Sequence, residues 1–255
     1  MCLVVFAHNS HPNYKFIFVA NRDEFYDRPT EQADFWKDQP DLLAGKDLKA
    51  GGTWMGITKS GKFAAITNYR DLSDIKEDAP TRGLLVTNYL LSNLSSGEYY
   101  NSIKGDLKKY NGFNLMLGDI DNLYYFSTHI EGLRKLDHGV HGLSNAVLDT
   151  PWPKVEKSKK HFLKLVKHEE IHAWELLSLL TDTRKANEKD LPDTGVGTEW
   201  EKVLSSVFIQ SPHYGTRCST AILIDNNNTV RFAEKTFFGN LGAFSNKDYN
   251  FKIEN

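Results

Sequence analysis

Cys2 stands directly behind Met1, and removal of that methionine leaves a thiol and a free α-amine on one residue. An amine of pKa about 7.7 to 8.0 is then set to take the proton of a thiol of about 8.5. That is the amine-activated N-terminal nucleophile, whose sulfur attacks a carbonyl carbon. The residue type alone leaves a second reading open, in which Cys2 is a small side chain buried at a strand start, as free cysteines often are. A second polar group, Asn21-Arg22-Asp23-Glu24, directly follows an apolar run. A hairpin turning at His11-Pro12-Asn13 sets residues 21 to 23 opposite the start of the first strand. There Arg22 lowers the thiol pKa and Asp23 holds the amine. Read by itself, the tetrad is more simply a solvated strand end with a surface ion pair.

The elements that must position these groups are mostly hairpins. The runs 2–7 and 14–20 are almost continuously apolar rather than alternating, which predicts a sheet covered on both faces. A polar loop carrying Pro29, Pro40 and Gly45 leads to Gly51-Gly52 and a second hairpin, 53–57 with 63–67. Leu84, Leu85, Tyr89 and Leu91 to Leu94 keep helical spacing, and a weaker helical stretch runs through Glu98 to Tyr110. A third hairpin, 114–118 with 123–126, leads into 139–143. A long helix with Asp149 or Thr150 as cap and Pro151 at its first position follows. Further helices are expected around Trp174 to Leu180 and Trp200 to Phe208, before strands at 218–224 and 230–233. About four helices and about nine strands in this order suit antiparallel sheets with helices packed outside, and argue against strict strand-helix alternation.

At 255 residues the chain has a core large enough to need no disulfide or metal staple, and one domain spanning 1–255 is the expectation. Lys+Arg 31 against Asp+Glu 33 supplies no field to draw it onto nucleic acid or an anionic membrane. No apolar run approaches the roughly 20 residues of a membrane span, so no transmembrane segment and a cytoplasmic location are expected. Two cysteines make neither a disulfide framework nor a zinc site, the histidines show no ligand spacing, and Gly51-Gly52 lacks the sequel of a phosphate loop. No metal and no cofactor are expected. Cys218, inside an apolar strand, is read as a small buried residue.

Cys2 behind Met1, Asn21-Arg22-Asp23-Glu24, Gly51-Gly52-Thr53-Trp54, Thr67-Asn68-Tyr69-Arg70 and Gly142-Leu143-Ser144-Asn145 together resemble the transport and Golgi organisation protein 2 family, often named for its Asn-Arg-Asp-Glu motif. The likeness spans the chain. It implies an α+β fold, a four-layer αββα sandwich of two antiparallel sheets like that of the N-terminal-nucleophile hydrolases. It further implies Cys2 as nucleophile flanked by Arg22 and Asp23, Asn68 as oxyanion-hole amide, Asn145 as the amide orienting the amine, and Arg217, in Gly215-Thr216-Arg217-Cys218, as a further active-site arginine. Each asparagine alone is equally a turn residue capping a strand end. The function so implied is an amidohydrolase or acyltransferase acting on a small-molecule amide or thioester through an acyl-cysteine intermediate. The alternative is a non-catalytic protein that binds and mobilises an apolar ligand, haem or a lipid or acyl-CoA, in the same fold. Nothing in the residues names the acyl group or the oligomeric state.

Overall fold

In the computed structural model, residues 3–239 and 242–254 are described. The chain opens with the expected hairpin, β1 (Leu3–His8) and β2 (Tyr14–Phe25). Leu3 pairs with Asn21 and Phe6 with Phe18, the register that a turn at residues 11–13 imposes. The stretch read as a polar loop forms two strands instead, β3 (Thr30–Trp36) and β4 (Gln39–Asp47). Pro29 and Pro40 sit at their ends, and β3 carries only Ala33 and Trp36 inward, so its composition is that of an outer strand. Gly45 lies within β4 because the Trp54 ring occupies the space that a Cβ would need. β5 (Met55–Thr58) and β6 (Lys62–Asn68) make the second hairpin; Thr53 and Trp54, expected in it, precede β5.

The helical stretch at 84–94 is α1 (Gly83–Leu91), and the weaker one begins as α2 (Ser96–Ile103), opened by a Ser95/Glu98 capping box. β7 (Phe113–Asp119), β8 (Leu123–Ser127), β9 (Arg134–Lys135) and β10 (Gly139–Leu143) follow, then α3 (Pro153–Leu165), α4 (Ala173–Ser178) and α5 (Thr198–Leu204). The long helix starts later than expected. Trp152 is its cap, held extended at φ −66°, ψ 145° by the following proline, and Pro153 rather than Pro151 takes the first helical position. The chain ends in β11 (Tyr214–Asp225), β12 (Thr229–Phe237) and β13 (Phe244–Lys252). β3, β4, β9 and β13 are the strands beyond the nine expected; β13 alternates exposed and half-buried residues, with Lys247 and Lys252 on it, at a sheet edge.

Two antiparallel sheets result, β10-β1-β2-β11-β12-β13 and β3-β4-β5-β6-β7-β8-β9. The apolar runs of the first hairpin divide by parity. Val4, Phe6, Phe16 and Phe18 face the second sheet, while Leu3, Val5, Ala7, Ile17 and Val19 face α3 and α4. Phe63 of β6 reaches across, its ring centroid 5.1 Å from those of both Phe16 and Phe18. On the far side of the second sheet, Leu85, Val86, Tyr89 and Leu90 of α1 close the core. The layers are therefore helix, sheet, sheet, helix, as the resemblance implies.

Asp149, expected as a cap, has another task at the seam of β10 and α3. At φ 60° it accepts hydrogen bonds from His141 Nδ1 (2.7 Å), Lys159 Nζ (2.7 Å) and the Gly142 amide (2.9 Å). Burial pushes its carboxyl upward, but these bonds override it and hold the pKa down at about 2, while the bond to Asp149 raises that of His141 above 6.5. The carboxylate's contribution to stability is present above pH 3.8 and lost as pH falls toward 2; that of the imidazolium is present below 6.5 and lost as pH rises through its raised value. Thermal unfolding midpoints are thus expected to be highest between about pH 4 and 6.5. The alkaline decline should be smaller in His141→Gln, as differential scanning fluorimetry across pH will measure.

Candidate functional site

The register of β1 and β2 determines what gathers at one end of the first sheet. Leu3 sits opposite Asn21, so Asn21, Arg22 and Asp23 lie beside the point where the chain enters β1. Cys2 itself lies outside the described residues. The tetrad is no solvated strand end: Asn21 is fully buried, and Arg22 and Asp23 are each only 4% exposed. Asn21 is a structural rivet, its Nδ2 donating to the carbonyls of Leu180 (3.0 Å) and Val207 (2.8 Å) and its Oδ1 accepting from Ser219 Oγ (2.6 Å). Asp23 Oδ1 accepts from Thr216 Oγ1 at 2.7 Å.

Arg22 is fixed from three directions. Its guanidinium carbon lies 4.2 Å over the Trp54 ring, Nη1 donates to Thr30 Oγ1 (3.3 Å), and Nη2 lies 3.7 Å from Asp47 Oδ2 and 3.9 Å from Glu24 Oε2. Asp47 also accepts from Arg28 Nε at 2.7 Å. Trp54 is thus the platform of an arginine, and Gly52 of the same motif lets the segment before β5 approach the start of α1 so closely that a Cβ would strike the Gly83 backbone. Arg217 is the extra residue of a β-bulge, since Thr216 pairs with Asp23 and Cys218 with Arg22. Its Nη1 holds the carbonyls of Phe25 (2.7 Å) and Arg28 (3.0 Å), and burial, reinforced by nearby Arg22, lowers its pKa. Cys218 is buried, and desolvation drives its thiol pKa well up, beside the buried carboxyl of Glu234. It is the small buried residue that the sequence suggests.

Asn68 and Asn145, far apart in the chain, come together. Asn145 Nδ2 donates to the Asn68 carbonyl at 3.0 Å, and the Arg70 amide returns a bond to the Asn145 carbonyl at 2.7 Å. Asn68 is the exposed last residue of β6, whereas Asn145 is buried just past β10. Two cavities meet at Asn68. One of about 480 Å³ is walled by Arg22, Glu24, Asp47 and Trp54; the other, of about 630 Å³, is reached by Asn145 and walled largely by apolar groups. Asp23 and Arg217 do not figure in the lining of either. Phe25, Leu72, Ile75 and Trp200, all between 45% and 58% exposed, line the larger cavity. So large a share of exposed apolar surface converging on one opening makes this cavity the candidate binding site.

The residues sequence reasoning missed are those that hold the asparagines. Arg70, quoted only as the end of a motif, donates through Nη2 to Asn145 Oδ1 (3.2 Å) and through Nη1 to Glu201 Oε2 (2.7 Å). Glu201 is one of several acids in its stretch and carried no signal of its own.

Comparison with known proteins bears on this arrangement. The Transport and Golgi organisation 2 family profile matches residues 1–239. The chain belongs to that family. Among relatives in the Transport and Golgi organisation 2 family, the Bos taurus protein 2 homolog is 37% identical over 262 residues, covering 94% of each chain. The Homo sapiens homolog is 35% identical over the whole of both chains, and the Drosophila melanogaster protein is 30% identical over 94% of this chain and 93% of its own. Among solved structures, a Caenorhabditis elegans ortholog of N-acylethanolamine-hydrolyzing acid amidase superposes with TM-score 0.53 at 11% identity, over 87% of this chain and 92% of its own. A conjugated bile acid hydrolase from Clostridium perfringens gives 0.49 at 9% identity over 100% and 97%. The fold, two antiparallel sheets between helical layers, is of the same kind as that of the acid amidase. Among the described residues no helix is long and apolar enough to cross a membrane.

Proposed function

We propose that the chain is an N-terminal cysteine amidohydrolase or acyltransferase that takes a small-molecule amide or thioester with an apolar acyl group. The reading is carried by one observation: Arg22 and Asn68 line a common cavity at the end of the sheet where β1 begins, and Asn68 is bonded to Asn145. In the sequence Cys2 directly precedes Leu3, the first residue of β1. With Met1 removed, the α-amine takes the thiol proton while sulfur bonds to the substrate carbonyl carbon. The negative charge passes to the carbonyl oxygen, where the Asn68 amide donates to it. Collapse breaks the carbon-nitrogen or carbon-sulfur bond, and the leaving group carries off the proton held by the amine. Water, deprotonated by the same amine, then releases the acid from acyl-Cys2; a second amine or thiol in its place gives acyl transfer. Arg22, charged and stacked on Trp54, stabilises the thiolate. Asp23 and Asn145 act as positioning groups, and Arg217 fixes the loop that carries Arg28. The fold likeness to an amidase of N-acylethanolamines supports an acyl amide as the substrate class.

A second reading is favoured by the larger cavity and its apolar rim: binding and mobilisation of haem or a lipid or acyl-CoA without turnover. Two measurements separate the readings. Intact mass should show a chain one methionine short, and p-nitrophenyl esters at neutral pH should leave a mass adduct of one acyl group, absent from a Cys2→Ala control. A retained Met1, or wild type unlabelled while haem or acyl-CoA titrates onto it, rejects the enzyme.

A further inference from the structure

The larger cavity has one wall that belongs to neither sheet. Val196, Trp200 and Leu204 come from α5 and the segment just before it. What fixes that wall to the rest of the molecule is an ion pair of unusual burial, with Arg70 10% and Glu201 4% exposed at their side chains. Both oxygens of Glu201 are used. Oε2 accepts from Arg70 Nη1 at 2.7 Å, and Oε1 accepts from the Thr194 amide (2.9 Å) and hydroxyl (2.5 Å). The other edge of the Arg70 guanidinium donates to Asn145 Oδ1, and its carbon lies 4.9 Å over the Trp152 ring. One unbroken polar chain therefore runs from Thr194 through Glu201, Arg70 and Asn145 to the Asn68 carbonyl.

Burying two charges beside an apolar cavity is costly, and well-packed apolar side chains would hold two elements together as firmly. The planar guanidinium does what apolar contact does not, since it joins the wall and the asparagine in one rigid geometry. We infer that Arg70 and Glu201 are the specificity-determining pair of this site, a clasp that sets α5 against the apolar group of the ligand and ties that placement to Asn145. The inference deepens the acyl-substrate reading and rests on it for the identity of the ligand. Although Arg70, Asp71, Asp74 and Arg82 also line this cavity, the part of the ligand set against this wall is an uncharged apolar group, because the surface there is Val196, just before α5, with Trp200 and Leu204 on it.

The test is binding of phenylnaphthylamine, an uncharged apolar fluorophore, to the full chain, followed by its emission well below the unfolding temperature. Glu201→Gln and Arg70→Met are each expected to raise its Kd about tenfold, and the double variant no more than either single one, because both break the same clasp. Hydrogen exchange at 198–204 should slow when the probe binds wild type and not when it binds the variants. Where Glu201→Gln fails to fold, Thr194→Val, which removes one donor to Oε1, carries the same readout with an expected rise of about threefold. Absence of probe binding to wild type, a Kd within twofold of wild type in the variants, or additive effects in the double variant each overturn the clasp. The titration is repeated in Cys2→Ala. If acylation of Cys2 is never seen yet the clasp dependence persists there, the catalytic reading falls and the clasp stands.

Discussion

Asn68→Ala is expected to slow acylation of Cys2 by roughly one hundred to one thousandfold, with little change in the ester concentration needed for half-maximal rate. Removing one preorganised amide donor to a developing oxyanion costs about 3 to 4 kcal/mol of transition-state stabilisation, which is that factor. Geometry supports the size of the effect. Asn68 ends β6 where the two cavities meet, and its backbone is held by Asn145, so its side chain is carried by a fixed strand end. An oxyanion donor of the kind proposed for Asn68 serves the transition state rather than the bound ester, so the loss should appear in the limiting rate. Single-turnover release of p-nitrophenolate across ester concentrations measures both parameters. A loss confined to half-saturation would reassign Asn68 to binding.

Asn21→Ala is expected to lower the free energy of unfolding by about 3 to 5 kcal/mol, since each buried group left without its partner costs about 1 to 3 kcal/mol. The substitution orphans the carbonyls of Leu180 and Val207 and the hydroxyl of Ser219 at once. These belong to the end of the α4 segment, the approach to β11 and β11 itself, so the effect is on cohesion between the first sheet and its helical layer. Asn21→Asp should lose almost as much, because a carboxylate cannot donate to the two carbonyls. Urea unfolding followed by tryptophan fluorescence gives the number directly. A change below about 1 kcal/mol would mean that water replaces the lost amide.

Much of this arrangement is legible in the residues, and where it is not the cause is physical. The first hairpin shows because two continuous apolar runs flank turn residues, and continuity itself announces a strand with a core on both sides. β3 and β4 do not show, since Glu31 and Asp34 are exposed on the outermost strand, Gln32 is polar although half-buried against Ser245, and two prolines sit at strand ends, where the ladder asks nothing of them. The helix starts later than the residues suggest because two prolines, Pro151 and Pro153, and two possible caps compete within 149–153, and only the seam with β10 decides that Asp149 belongs to His141 and Lys159. The nearness of Asn68 to Asn145 follows from the resemblance alone, for no local pattern links strand ends 77 residues apart. The burial of Glu201 is decided by a partner 131 residues away.

The sheet order has a consequence for biosynthesis. β2 pairs with β1 on one side within the first two dozen residues, but its other neighbour, β11, is made nearly two hundred residues later. While the polypeptide is emerging from the ribosome, β2 therefore presents a bare hydrogen-bonding edge with Ile17 to Ala20 on it, a template for pairing with foreign strands. Thr216, the partner of Asp23, arrives with β11 as well. A nascent chain is thus unfinished at this end of the sheet until β11 has been translated.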